Sequence, residues 1–228
     1  MLSSRPQYPA HRIEALMTPH TKIVIADDHV LVREGLKMLL SAEPDLQVVA
    51  DTGDGAAVEA LVRELAPGLL VLDLELPGKS GIEIAAAIKA DAAITCKVLV
   101  LTGNLKTETV ARALAAGADG YVVKSEDAAE LLSAVRTVLA GQVYVSKQIA
   151  GAFAAGAGRA AAAPITPRER EVLSLVARGY ANNAIGSLLE ISVLTVRTHR
   201  QHLMEKLGLR NAAEITAYAV KLGLYDPT

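Results

Sequence analysis

VLDLELPGKSG, residues 71–81, decides how the chain is read. An apolar run, LLVL, ends on Asp73, and Pro77 and Gly78 follow within five residues. A short continuous apolar run bounded by turn residues predicts a fully buried strand. A carboxylate at the end of such a strand is expensive to bury unless something charged meets it. The turn residues after it bend the chain over the strand's carboxyl end.

Working outward, the same unit recurs five times. KIVIADD (22–28), LQVVAD (46–51), LLVLD (69–73), KVLVLT (97–102) and GYVVK (120–124) are the strand candidates. Each is followed by a segment with apolar residues at helical spacing, such as Val32, Leu36, Leu39 and Leu40, or Leu131, Val135, Val138 and Leu139. Alternating strands and helices with near-continuous apolar strands predict an α/β fold, a five-stranded doubly wound parallel sheet covered on both faces. Such sheets bind ligands at the carboxyl ends of their strands, near a switch in strand order.

Those carboxyl ends carry the chemistry. Asp27 and Asp28 end the first strand and Asp73 the third, so adjacency of these strands would bring three carboxylates together. A cation would be needed to hold them, and oxygen-only ligands suit Mg2+. A carboxylate beside Mg2+ is also a competent nucleophile toward phosphorus. Thr102 and Lys124 end the fourth and fifth strands with a hydroxyl and an ammonium suited to phosphoryl oxygens, and Gly103 leaves room for the group to enter. His29 is read as helix-start packing or solvent contact, and Glu75 and Asn104 as pocket neighbours of undetermined role.

After Gly141 the repeat ends. GAFAAGAGRAAAAP (151–164) is nearly all Ala and Gly and reads as part of a linker, partly helical through its alanines. From Thr166 the signals are helical only. Thr166-Pro167-Arg168-Glu169 is a capping box with Pro at the first helical position; Ser192 caps a later helix ended by Gly208; Asn211 with Glu214 opens another. Four short helices with a tight turn between the second and third predict a helix-turn-helix. On the third, Val196, Leu203 and Leu207 form a core stripe. Arg197, Thr198 and Gln201 share another face, suited to base edges, with Arg200, His202 and Lys206 nearby for phosphates. His199 is assigned to packing. The boundaries follow: a loose tail over 1–20, the α/β domain over 21–141, a linker over 142–163 and a small all-α domain over 164–228. Met17 is an alternative start.

Charge divides along the same line. Residues 22–140 hold 18 Asp and Glu against 11 Lys and Arg, a balance of −7; residues 164–228 hold 6 against 8, a balance of +2. An acidic front suits a cation or phosphate site, and a mildly basic back suits an anionic partner. The single cysteine, Cys96, excludes an internal disulfide and fits a reducing compartment; it reads as a packing residue. No apolar run approaches a membrane span and the first 20 residues lack a signal-peptide core, so the chain is read as soluble and cytoplasmic.

With these residues in place, the chain resembles the response regulators of bacterial two-component signalling. ADDH, DLELPGKSG, LTG and YVVK stand in the order and spacing of a receiver domain, over about residues 22–140. TPREREVL, TVRTH and EKLGLRN are similar to the LuxR-type four-helix domain, which together place the resemblance in the NarL/FixJ subfamily. The resemblance implies that Asp73 accepts a phosphoryl group from a sensor histidine kinase. It implies that Asp28, Asp73 and the Glu75 carbonyl ligate Mg2+ directly, with Asp27 acting largely through water. Thr102 and Lys124 would contact the phosphoryl oxygens, and Tyr121 would swing inward as Thr102 moves. Promoter DNA would be bound by a homodimer. The chain departs from the family where Asn183-Ala184 replaces a customary Lys-Glu pair and where Val193-Leu194 follows the capping serine.

Three rivals are weaker. Haloacid-dehalogenase-type phosphatases need a second Asp where Glu75 stands, and they leave the helix-turn-helix unexplained, so no enzyme activity is assigned. A ligand-sensing LuxR-type regulator wants aromatic pocket walls, and the chain has no Trp and one Phe. A receiver working without phosphorylation would not need the full set of Asp27, Asp28, Asp73, Thr102 and Lys124.

Overall fold

The computed structural model describes residues 20–157 and 165–227. The tail expected over 1–20 therefore lies almost wholly outside the described residues, as do linker residues 158–163.

The first part alternates β1 (Thr21–Ala26), α1 (Val30–Ser41), β2 (Leu46–Thr52), α2 (Gly55–Leu65), β3 (Leu69–Asp73), α3 (Gly81–Ala90), β4 (Lys97–Thr102), α4 (Thr107–Ala115), β5 (Gly120–Val123) and α5 (Ala128–Leu139). The strands are parallel, in the order β2-β1-β3-β4-β5 with a further strand beyond β5. Side chains alternate between faces along each strand. Val24, Leu70, Leu72 and Val100 accordingly pack with α2, α3 and α4. Ile23, Ile25, Val71 and Leu99 pack with Leu36 and Leu40 of α1 and Leu131, Val135 and Val138 of α5. Both faces are covered, which is why β3 is buried along its whole length.

Strand order reverses between β1 and β3. Ala26 pairs with Leu72 across that boundary, so the residues just past them, Asp27 and Asp73, emerge side by side. Gly81 makes this compact: a Cβ there would stand 2.0 Å from the Asp73 carbonyl oxygen, closer than any side chain allows. The loop that quotes as DLELPGKSG thus folds back onto its own aspartate, with the Gly81 N–H donating to Leu74 O at 3.0 Å.

The sheet has six strands rather than five. After the turn at Gly141 (φ 82°), β6 (Tyr144–Val145) pairs parallel with β5. Two residues are too few for a periodic signal, and only the neighbouring strand edge specifies them. Tyr144 is fully buried, and its hydroxyl donates to Glu130. The stretch read as linker from 142 therefore begins as structure, continuing into α6 (Lys147–Ala157). Ile149, Ala150 and Phe153 of α6 are buried, packing with α4 on one side and the last helix on the other.

The C-terminal part is helical: α7 (Pro167–Ala177), α8 (Asn182–Leu189), α9 (Val193–Leu207) and α10 (Ala212–Lys221). The Thr166–Glu169 capping box forms reciprocally, and Ser192 caps α9 through the Thr195 N–H. Gly186 lets α8 meet the turn into α9, where a Cβ would stand 2.9 Å from Ile191 O. Val172, Leu173, Ile185, Val196, Leu203, Leu207 and Ala217 are buried between these helices.

Candidate functional site

At the carboxyl end of the sheet Asp27, Asp73 and Thr102 are buried, with exposures of 1%, 2% and 2%. The Lys124 ammonium donates to Asp73 Oδ2 at 2.8 Å and stands 2.8 Å from Asp27 Oδ2. The second approach lacks hydrogen-bond alignment, so the buried Asp27 Oδ2 has a charge beside it but accepts no hydrogen bond. Asp73 Oδ1 accepts from the Glu75 N–H at 3.2 Å. Asp28 lies at the rim, its side chain 39% exposed.

Burial pushes the Asp73 carboxyl above the ordinary carboxylate range; the hydrogen bonds from Lys124 and the Glu75 N–H oppose this. Burial also opposes the Lys124 charge, but its pairings with Asp27 and Asp73 outweigh it and raise the ammonium pKa. Three carboxylates against one ammonium leave a formal balance of −2 at the pocket. One oxygen with no hydrogen bond, aimed inward, and two carboxylates within reach make a donor set that fits a hard dication.

His29 stands at a helix start with its side chain 61% exposed, as read from sequence, and its ring also reaches the carboxylates. Its Nδ1 lies 2.6 Å from Asp28 Oδ1, 3.2 Å from Asp27 Oδ1 and 3.4 Å from the Lys124 ammonium. One atom from each of Asp27, Asp28, His29 and Asp73 falls within 4.8 Å of the others. No sequence signal distinguishes this from a solvent-facing helix cap, since the backbone rotation at the cap decides it. Glu75 and Asn104 are joined: the Asn104 amide donates to Glu75 Oε1 at 3.0 Å. Each lies two residues past neighbours on paired strands, Asp73 and Thr102, and that offset was the available signal. With His29, Gly103, Leu105 and Lys124 they border an opening of about 530 Å³.

Thr102 Oγ1 accepts from the Asn104 N–H at 3.0 Å, so it faces its own loop and not Lys124. Tyr121 also differs from expectation. Its ring is already inside, 1% exposed, with the hydroxyl donating to Ala113 O at 2.9 Å. A buried phenol needs a partner, and the carboxyl end of α4 supplies one. Cys96 is buried as read, and desolvation pushes its thiol up to about 12.

On α9, Arg197, Thr198, Gln201 and His202 are exposed. Thr198 Oγ1 donates to Leu194 O at 3.1 Å and Gln201 donates to Glu205 Oε1 at 2.9 Å. Two cations read as phosphate contacts have protein partners in the DNA-free chain. Arg200 is half-buried and donates to Asn182 Oδ1 at 2.7 Å, and desolvation lowers its pKa. Lys206 donates to Glu169 Oε2 at 2.8 Å. In both, helix-face reasoning placed the Cα correctly, while a neighbouring helix captured the flexible end. Arg197, Arg200 and Gln201 border an open groove of about 700 Å³ that also includes Asn182 and Arg210. These last two lie outside α9, the helix whose face was read for DNA contacts. His199 is half-buried.

Among the described residues no helix is long and apolar enough to cross a membrane. Residues 23–136 match the family described as response regulator receiver domain, and residues 163–219 match bacterial regulatory proteins of the luxR family. The chain is 38% identical over 216 residues to the oxygen regulatory protein NreC of Staphylococcus aureus, covering 90% of this chain and 99% of that one. Among solved structures it is similar to the response regulator ChrA of a heme-sensing two-component system (29% identity, TM-score 0.52, 90% of this chain and 99% of that). It is also similar to RcsB, solved as two dimers bound to two parallel DNAs (25% identity, TM-score 0.55, 89% and 99%). The buried acidic pocket at the β1/β3 switch, the four-helix C-terminal part and these matches along nearly the whole chain make it a response regulator, with a receiver domain followed by a LuxR-type DNA-binding domain.

Proposed function

We propose that this response regulator is switched by phosphorylation of Asp73, and that the switch governs binding of promoter DNA by α9. The observation that carries this is the meeting of Asp27, Asp73 and Lys124 at distances of 2.8 Å from one ammonium. An Asp73 carboxylate oxygen forms the new bond to phosphorus as the bond to the kinase's phosphohistidine nitrogen breaks, and the leaving imidazole takes up a proton. Lys124 already stands at Asp73 and holds the added negative charge. Thr102 reaches it by giving up its contact with the Asn104 N–H.

Asp28 and Asp73, with the Glu75 carbonyl, are the direct ligands we assign to Mg2+, and Asp27 supports it through water. When bound, the ion neutralises charge that would otherwise repel an incoming phosphoryl group. Three carboxylates against a single ammonium favour an ion there, and Asp27 Oδ2 accepts no aligned hydrogen bond from Lys124. Phosphorylation adds about one to two negative charges. A shift from 1:99 to 99:1 between two states takes about 5.5 kcal/mol, within reach of a few charge-assisted hydrogen bonds of ~1.5–3 kcal/mol each.

On the DNA side, Arg197, Thr198 and Gln201 are assigned to base edges. His202 is assigned to the backbone, as are Arg200 and Lys206 once they exchange Asn182 and Glu169 for phosphates. The +2 balance of residues 164–228 makes one copy a weak binder, so a homodimer on paired half-sites is part of the reading. We place the receiver at 21–141 and the DNA-binding domain at 164–228, in the cytoplasm, where a sensor histidine kinase and the chromosome are both within reach.

The test is labelling by radioactive acetyl phosphate in Mg2+ buffer, followed by footprinting with and without the donor. Asp73→Asn is expected to abolish the label and the donor's effect on the footprint. Undiminished labelling of that variant moves the acceptor elsewhere.

A further inference from the structure

The acidic pocket carries an imidazole that nothing in its oxygen chemistry requires. His29 stands at the start of α1 in the capping position, but its side chain makes no capping hydrogen bond. The ring is turned back, with Nδ1 against Asp28 and Asp27 at 2.6 and 3.2 Å. The His29 backbone N–H donates to Asp27 Oδ1 at 2.8 Å, which fixes the base of the side chain beside the same carboxylate. The remaining oxygen of Asp27 is buried and faces the Lys124 ammonium at 2.8 Å, without hydrogen-bond alignment. A nitrogen donor thus joins the carboxylates at one small space: one atom from each of Asp27, Asp28, His29 and Asp73 lies within 4.8 Å of the others.

Donor type decides which dication such a space holds best. Carboxylates, carbonyls and water suit Mg2+, whereas imidazole adds most to the binding of later first-row ions such as Co2+ and Ni2+. We propose that His29 ligates the pocket's dication through Nδ1, so that the site intrinsically prefers an imidazole-accepting first-row dication to Mg2+. This rests on the acidic pocket being the ion site, as assigned above, and adds a fourth side chain to it. Ligation through Nδ1 requires the tautomer protonated at Nε2. The side chain is 61% exposed, so proton exchange between the ring nitrogens through solvent is open. Of the other described histidines, His20 precedes β1 and His199 and His202 belong to α9, in the other domain; none of them is in the acidic cluster.

Titration calorimetry of the full chain with MgCl2 and with CoCl2, on wild type, His29→Ala and His29→Gln, tests this. Wild type is expected to bind Co2+ at least tenfold more tightly than Mg2+, with excess Mg2+ displacing the Co2+. Both variants are expected to reduce that ratio to below threefold, losing more affinity for Co2+ than for Mg2+. Mn2+-loaded wild type should show 14N modulation in its electron spin echo, and the variants should lose it. A Co2+ preference that persists in both variants overturns the role of His29, as does equal binding of the two ions by wild type. Failure of wild type to bind either ion overturns the pocket assignment itself. Far-UV circular dichroism verifies that the variants keep their fold, as the exposed ring and absent capping bond predict.

Discussion

Asp73 shows how one residue's environment can be at odds with its charge. Its carboxylate is buried, and desolvation raises its pKa even with an ammonium at 2.8 Å. A raised carboxyl makes the ionised form a cost to the fold near neutral pH, which is a property of a site and not of a structural ion pair. Glu169 is the opposite case. Its hydrogen bonds from Lys206 and from the Thr166 N–H hold its carboxyl at about 2, against an ordinary value of 4.5. A depressed carboxyl stabilises the fold above its unfolded value, and that contribution disappears as pH falls from about 4.5 to about 2. Glu169→Gln keeps a capping box but removes the charge. The expected result is a Tm lower by up to about 4 °C at pH 7, from an ion pair of ~0.2–1 kcal/mol. The gap from wild type should close as pH approaches 2; a gap independent of pH in thermal melts would refute the pairing.

At the scale of elements, strands announce themselves because burial on both faces leaves continuous apolar runs, and helices because burial on one face leaves a stripe. α9 obeys this: Val196, Leu203 and Leu207 go inward and Arg197, Thr198 and Gln201 stay out. Legibility stops at the ends of long side chains. Arg200 and Lys206 start from the outer half of the helix but finish on Asn182 and Glu169. Arg197, by contrast, is exposed on the open groove. Arg197→Ala is therefore expected to weaken binding to specific DNA by about 1–3 kcal/mol, measured by titration against specific and random duplexes. Equal losses on both would make Arg197 a phosphate contact.

At the scale of the whole molecule, α6 fills the seam between receiver and DNA-binding domain. Val145, Ile149 and Phe153 continue the receiver core into Ala213, Ile215 and Ala217 of α10. Two polar contacts meet at the end of α4: the Tyr121 hydroxyl on Ala113 O at 2.9 Å, and the Asn211 amide on Leu114 O at 2.9 Å. The aromatic of the receiver and the cap of α10 thus hold adjacent carbonyls. Asn211 has two tasks, since its Oδ1 also caps α10 through the Glu214 N–H. Asn211→Asp keeps the capping oxygen and replaces the donor with a charge facing a carbonyl. The domains are expected to separate, giving a larger radius of gyration by small-angle X-ray scattering with unchanged helix content. An unchanged radius would show that the apolar seam alone holds them.

By itself the sequence determined the repeating strand–helix order, the helical C-terminal part and the strand ends on which Asp27, Asp28, Asp73 and Lys124 stand; the strand order of the fold then brought those ends together. Only the tertiary structure decided what the free ends of side chains do and what lies between the domains. β6 exists because a strand edge at β5 was there to be paired. α6 has its place because two apolar faces needed cover, Tyr121 is inside because α4 offers a carbonyl, and His29 turns back because three carboxylates lie behind it. Each depends on partners distant in the chain, and local pattern carries no record of them.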